Sequence, residues 1–287
     1  MNLNGSEVIV SICCITYNHE KYIAEALDGF LMQETSFKYE ILIGEDCSSD
    51  GTKAILADYK VRYPDKIQVF SSETNLGAVK NFTNVLGKSK GKYLAFCDGD
   101  DFWTDAKKLQ KQVDFLERND DYIICCHYSE VIDNQGKTVY VSDKMIPLEY
   151  SYEDLLAGKR KETRVATMLM RSTKAIREIE NNEWLYSTYG TDTFVKLFAV
   201  AVSGKKIFVL PELMSCYRIH DGGIWSLIDS KMRKKKMIND FNLLVDNFSY
   251  SSSQKRQLLK IYLKEYFLFD IKNVSLNGAF RTLINLL

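Results

Sequence analysis

Residues 93–109 read YLAFCDGDDFWTDAKKL. An apolar run of strand character stops at Asp98, Asp100 and Asp101, and a segment with Leu109, Val113 and Leu116 on one helical face follows. A strand that hands over to a helix in this way borders a crevice at its C-terminal end when the sheet is open and parallel. Three carboxylates crowded there repel one another unless a cation or hydrogen-bond donors compensate. A divalent ion, Mg2+ or Mn2+, is the simplest compensation, and such an ion usually completes its shell with substrate phosphates. The competing reading is a turn of aspartates that caps the next helix.

The same alternation of short β-rich runs and helical patterns extends upstream. EVIVSICCI (7–15) reads as a buried strand, followed by a helix near 19–32, a second strand YEILIGED (39–46), and a helix ended by Pro64. KIQVFS (66–71) and KYLAFC (92–97) complete four strands, so the fold class is α/β with a mostly parallel central sheet flanked by helices. In that register Thr16 to Asn18, Glu45 to Asp46 and Asp98 to Asp101 share one edge of the sheet.

Downstream, DYIICCHY returns as a strand, DNQGKTVYV suggests a hairpin, and a short helix starts at Tyr152. TDTFVKLFAVAVSG (191–204) reads as a helix ended by glycine, and KIFVL and LMSCYRIH as two further strands. From Ser226 the composition changes, with KMRKKK (231–236) ahead of helical segments near 236–247, 252–270 and 276–286. The basic cluster reads either as a solvated helix face or as a peripheral membrane contact, and the residues alone leave both open.

Lysines and arginines number 38, as do aspartates and glutamates, so no global field draws the chain to nucleic acid. Seven cysteines, an odd number without a CxxC pair, predict reduced buried thiols and a cytoplasmic setting. The N-terminus lacks a basic region before its short apolar run, and no stretch reaches 18 uninterrupted apolar residues; neither a signal peptide nor a membrane span is expected.

Taken in order, SICCITYNHEKYIAEALDGFLMQ, EILIGEDCSSDGT, NLGAVKNF, FCDGDDFW and YRIHDGGIWS resemble a family 2 glycosyltransferase of the GT-A fold, across roughly residues 7–226. The resemblance implies a Rossmann-like catalytic domain over 1–225, with a nucleotide-sugar half of about 1–105, an acceptor half of about 106–225, and an accessory helical region over 226–287. It implies inverting transfer from a nucleoside-diphosphate sugar, with Mn2+ or Mg2+, to a hydroxyl of a glycan or lipid-linked acceptor in cell-surface polysaccharide synthesis. By the same resemblance Thr16, Tyr17 and Asn18 hold the nucleotide, Asp46 accepts from the uracil imide, and Lys80 lies near the nucleotide. A carboxylate at that position favours a base with an N–H donor, hence a uridine or thymidine diphosphate. Asp98 falls on the ribose side, Asp100 on the cation, and Asp101 is a second ligand or a support. Asp192 in YGTDTF matches the base, with Thr191 where the family usually has an acid. His220 matches an element that folds over the diphosphate and reaches the metal, Arg218 offers a fork for phosphate, Gly222 and Gly223 permit loop closure, and Trp225 is a lid or acceptor platform.

Plainer roles stand beside these. Asn18 could cap the following helix, Lys80 could be a solvated helix residue, Asp192 could be a helix start, and His220 could be structural. A dehalogenase-type phosphatase loop would need Thr or Val where Phe102 stands, and the glycine and glutamate of a calcium-binding EF-hand loop are absent after Asp98. The rival from another class is a non-catalytic nucleotide-sugar binding protein, which would tolerate the loss of Asp192.

Overall fold

A computed structural model describes residues 7–223 and 228–287, so Trp225 lies outside the described residues. The expected βαβ series is present: β1 (Val8–Thr16), α1 (Ile23–Leu31), β2 (Lys38–Glu45), α2 (Thr52–Arg62), β3 (Ile67–Ser71), α3 (Ala78–Leu86) and β4 (Tyr93–Phe96). β1 pairs in parallel with β2 and β4, Ile12 lying opposite both Ile41 and Ala95. These strands are buried along almost their whole length and mostly apolar because helices cover both faces, leaving no solvent side on which polar residues would alternate. On α1 the buried residues Ile23, Ala26, Leu27 and Phe30 recur at helical spacing. α2 ends before Pro64, with Tyr63 at φ −131 and ψ 55, outside the helical region that a following proline disfavours.

After β4 the chain makes the aspartate loop and a two-residue strand, β5 (Phe102–Trp103), before α4 (Lys108–Arg118). A Cβ on Gly29 would meet the Trp103 backbone at 3.0 Å, so a glycine there lets α1 lie directly against β5. Trp103 stacks edge-on against Phe30 and donates from Nε1 to Ala166 O, which anchors the end of the aspartate loop in the core. β6 (Tyr122–Ile132) and β7 (Thr138–Tyr140) form the hairpin read at DNQGKTVYV. β8 (Leu148–Tyr150), α5 (Tyr152–Leu156), β9 (Leu169–Arg171), α6 (Lys174–Arg177), α7 (Thr191–Ser203) and β10 (Lys206–Arg218) follow.

Among the described residues the sheet has ten strands in the order β3-β2-β1-β4-β9-β6-β10-β5, with β7 on β6 and β8 on β10. β9 runs antiparallel to both β4 and β6 and joins two parallel halves. KIFVL and LMSCYRIH are one continuous strand rather than two, because β10 crosses Pro211 by shifting register against β6 between Leu210 and Ser215. A proline has no N–H for the ladder, so the strand bulges past it and resumes. The helix expected from residue 19 begins at Ile23; residues 19–22 form a tight turn in which His19 O accepts from Tyr22 N and Ile23 N.

The C-terminal helices are α8 (Ser230–Asn247), α9 (Ser252–Ile261), α10 (Phe267–Asn273) and α11 (Leu276–Leu286), with a π-helical turn at Tyr262–Tyr266 where one helix was expected. Phe241, Val245, Leu258, Tyr262 and Leu286 share one apolar cluster with Val195 and Val200 of α7. At about 1.5 to 3 kcal/mol for each large apolar side chain fully buried, this cluster binds the extension to the sheet. All seven cysteines are free, six of them buried and Cys47 partly so. Among the described residues no helix is long and apolar enough to cross a membrane.

Candidate active site

The parallel strands deliver residues 16–19, 45–46 and 98–101 to one edge, and β10 returns to the same edge with Arg218 and His220. The first loop is fastened to the second. Asn18, at φ 55 in the left-handed region that asparagine tolerates, donates its N–H to Ser48 Oγ at 3.0 Å and accepts from Ser49 N at 2.8 Å. It is therefore a bridge between loops rather than the cap of α1, whose N-cap is Tyr22. Thr16 Oγ1 is buried without a hydrogen-bond partner among the described residues, while Tyr17 stands 44% exposed at the rim. A Cβ on Gly99 would lie 2.8 Å from Thr16 Oγ1, so only glycine allows the aspartate loop to settle onto the end of β1.

Glu45 is fully buried and accepts from Ser48 N, which orients the turn after β2. Asp46 is also buried: Oδ1 accepts from Leu76 N at 2.7 Å and Ser72 Oγ at 3.3 Å, and Oδ2 from Gly77 N at 2.9 Å. The carboxylate thus ties loop 72–77 to β2. Lys80 stands exposed on α3, beside the buried Asn81 that donates to Gly44 O at 2.8 Å.

The three aspartates have three different surroundings. Asp98 is partly open to the cleft; burial first, then the charges of Asp100 and Asp192, push its carboxyl up to about 8. Burial alone would raise Asp100, but the His220 hydrogen bond, with the two imidazoles beside it, outweighs burial and holds the carboxyl below its ordinary value. Asp101 is enclosed, and burial together with Asp100 drives it well above the usual range; its Oδ1 accepts from Arg218 N at 2.9 Å and so ties the loop to β10.

His220 Nε2 lies 3.0 Å from Asp100 Oδ2, and its Nδ1 accepts from Gly222 N at 3.2 Å. That acceptor role assigns the proton to Nε2. A second imidazole, which the sequence reading passed over, completes the group: His19 Nε2 is 3.7 Å from the same Asp100 oxygen. Burial lowers the His19 pKa, keeping the ring neutral, and its Nδ1 is buried without a partner among the described residues. One ligand atom from each of His19, Asp100 and His220 lies within 4.8 Å of the others. Imidazole nitrogens of His19 and, where an ion takes the place of the Nε2 proton, of His220, together with one carboxylate oxygen, would suit a transition ion such as Mn2+ better than Mg2+, which takes oxygen ligands almost exclusively.

Arg218, expected to offer its fork to a phosphate, is engaged within the chain. Its guanidinium lies 4.8 Å from the Tyr22 ring centre and 5.4 Å from that of Phe102, with Nε donating to Asp100 O and Nη2 paired with Glu25. It lines a cavity of about 530 Å³ with Lys21, Tyr22, Glu25 and Glu130, and braces the backbone of the aspartate loop. Asp192 occupies the first turn of α7, whose start is fixed by Asp240 of α8 accepting from Tyr189 N at 2.9 Å and Gly190 N at 2.8 Å. Its Oδ2 lies 2.8 Å from the Nζ of the buried Lys196, and its side chain is a third exposed. Thr191 Oγ1 is 3.1 Å from Thr188 Oγ1.

The family model described as Glycosyl transferase family 2 matches residues 11–180. An uncharacterized protein of Mycobacterium tuberculosis is 37% identical over 229 residues, 78% of this chain and 63% of its own length, so the chain spans less than two thirds of that relative. The Escherichia coli protein named UDP-Glc:alpha-D-GlcNAc-diphosphoundecaprenol beta-1,3-glucosyltransferase WfgD is 29% identical over 150 residues, 52% of this chain and 56% of that one. Among solved structures, S. aureus TarS 1-349 in complex with UDP-GlcNAc superposes with a TM-score of 0.69 at 19% identity, covering 97% of this chain and 80% of that one. The mannosyltransferase PcManGT from Pyrobaculum calidifontis, in complex with GDP-Man and Mn2+, gives a TM-score of 0.63 at 14% identity, covering 97% and 79%. These likenesses identify the sheet described above as the GT-A fold.

Proposed function

The chain belongs to glycosyl transferase family 2, and from that premise we propose that it moves a sugar from a UDP-sugar, with inversion, to a hydroxyl of a glycan or lipid-linked acceptor. The observation that carries this reading is the convergence of Asp98, Asp100, His19 and His220 on the edge that Asp192 also approaches. Thr16, Tyr17 and Asn18 with Asp46 form the nucleotide wall. Asp46 keeps spare acceptor capacity on Oδ2, which has a single amide partner, and this supports a role toward the imide N–H of uracil. The relative named for UDP-Glc and the neighbour solved with UDP-GlcNAc support the same donor class.

Asp100, His19 and His220 would hold the ion, Asp98 the ribose side of the donor, and Asp101 with Arg218 the loop that carries them. A bound divalent cation supplies charge neutralisation for the departing nucleoside diphosphate. Mn2+ is the ion that this donor set favours. Asp192, paired with Lys196 and a third exposed, takes the proton of the acceptor hydroxyl as that oxygen attacks the anomeric carbon from the face opposite the diphosphate. Lys80, exposed near loop 72–77, contributes charge at the mouth of the nucleotide site.

A lipid-linked acceptor, which fits the diphosphoundecaprenol in the name of the E. coli relative, would be met at the cytoplasmic membrane face in the assembly of a surface polysaccharide. The basic turn Lys231–Lys236 of α8 and the exposed Leu276, Phe280 and Ile284 of α11 supply the charge and apolar area for a peripheral contact. The test is UDP release from UDP-sugars with Mn2+, for the wild type and Asp192→Asn. Retained UDP binding with turnover lost by at least about a hundredfold supports the reading; turnover absent from both proteins with every UDP-sugar returns the chain to a binding role.

A further inference from the structure

We propose that Lys196 is the positioning residue of the Asp192 base: its buried ammonium occupies one carboxylate oxygen and leaves the other as the proton acceptor facing the cleft. The inference rests on the reading of Asp192 as the base. Lys196 is 2% exposed and sits one helical turn after Asp192 on α7. Its Nζ lies 2.8 Å from Asp192 Oδ2, 2.6 Å from Thr163 O and 3.2 Å from Thr163 Oγ1. An ammonium has three N–H bonds, and these three acceptors use them all, so none is left for a substrate. Lys196 can influence the reaction only through the carboxylate it holds.

A lysine within a helix ordinarily carries its charge out to water. Here the charge is drawn inward, because segment 162–164 presents the carbonyl and hydroxyl of Thr163 to α7. Glu162 takes φ 58 immediately before, with its buried carboxylate paired to Arg164. A buried ammonium is unfavourable unless an anion faces it, so the pair fixes Asp192 Oδ2 against Lys196 and sets the orientation of the carboxylate. The other groups around Asp192 work in the opposite sense or are neutral. Asp98, at the end of β4, has its carboxyl pushed up to about 8 and is a like charge only where it ionises; Cys126 of β6 is a thiol that burial keeps protonated; Asp240 of α8 is turned to the Tyr189 and Gly190 amides. Lys196 is the cation in contact with Asp192, and the i, i+4 order with the acid first is the favourable one.

The test follows UDP release from UDP-glucose with Mn2+, water serving as acceptor, from about pH 5 to about pH 9. Lys196→Met should move the acid limb of kcat/KM upward by about one pH unit, since an opposite charge has been removed from the base. Affinity for UDP with Mn2+ should stay within about twofold of wild type, and Lys196→Arg should bring the limb back. If Lys196→Met does not fold, Lys196→Gln, which retains hydrogen bonds but no charge, carries the same test. An acid limb that stays put in a folded variant, or a variant as inactive at about pH 9 as at about pH 6, overturns the inference. Asp192→Asn separates the two claims: wild-type turnover in that variant removes the base itself, whereas a dead Asp192→Asn with an unmoved Lys196→Met limb removes the positioning role alone.

Discussion

Lys108 offers a quantitative check on how the aspartate loop is held. Its side chain is fully buried, with Nζ 2.8 Å from Gln112 Oε1 and 3.9 Å from the Trp103 ring centre. Gln112 in turn donates to Cys125 O and Thr167 O, so this group sits where β5, β6 and segment 165–167 meet. Burial lowers the ammonium from 10.5 to about 7. In the unfolded chain the proton stays until about pH 10.5, whereas the folded protein gives it up near 7, so the unfolded state binds more protons between these limits. Stability therefore rises with pH across that window, by up to about 1.4 kcal/mol per pH unit, and falls again as pH drops toward 7. Between pH 7 and 9 the gain is about 2 kcal/mol. Lys108→Met abolishes it. Urea unfolding of wild type and variant at about pH 7, 8 and 9, under reducing conditions, should give a difference in stability that widens by this amount. Every other titrating group is common to both proteins and cancels. Curves that run parallel from pH 7 to 9 would refute the account.

Three further perturbations address the site. His19→Ala should weaken Mn2+ binding by at least about tenfold, because even outer partners of metal ligands are worth that much; titration calorimetry measures it. Wild type should bind Mn2+ more tightly than Mg2+ in the same experiment, and equal affinities would argue against imidazole ligands. Gly99→Ala should destabilise by about 1 to 3 kcal/mol in urea and lower turnover, since its Cβ would press on Thr16 Oγ1 and on Ile23 Cδ1 at 2.9 Å. Asp46→Asn should loosen loop 72–77, seen as faster amide exchange at Leu76 and Gly77, and weaken UDP binding by about tenfold.

The first four strands were readable because each is a short apolar run bounded by turn residues, with helical spacing between. That pattern fails where geometry depends on distant partners. β9 has three residues, Leu169–Arg171, and nothing local in MLMRS announces that it runs against its neighbours. Pro211 split β10 into two runs on paper, although a register shift carries the strand past it. Asp100 and His220 were found as members of motifs. His19 was missed, although it follows Asn18 directly and belongs to the same strand-end loop; extending that loop by one residue would have included it. The orientation of Arg218 toward Glu25 lay beyond the sequence, since its partner is almost two hundred positions away. The Asp192 and Lys196 spacing was visible, but a lysine one turn along a helix ordinarily signals a solvated face.

The two parallel halves of the sheet meet across a narrow seam. β9 stitches β4 to β6 through three residues, and Phe102–Trp103 pairs with Ser215–Cys216 as a second strap running directly out of the aspartate loop. Asp192 stands on one side of this seam and Asp98 on the other, with the His220 to Asp100 contact lying across it. Whatever grips Asp100 and His220 together therefore also tightens the joint between the halves, so that ligand occupancy and the mechanical rigidity of the sheet are two readings of the same few bonds.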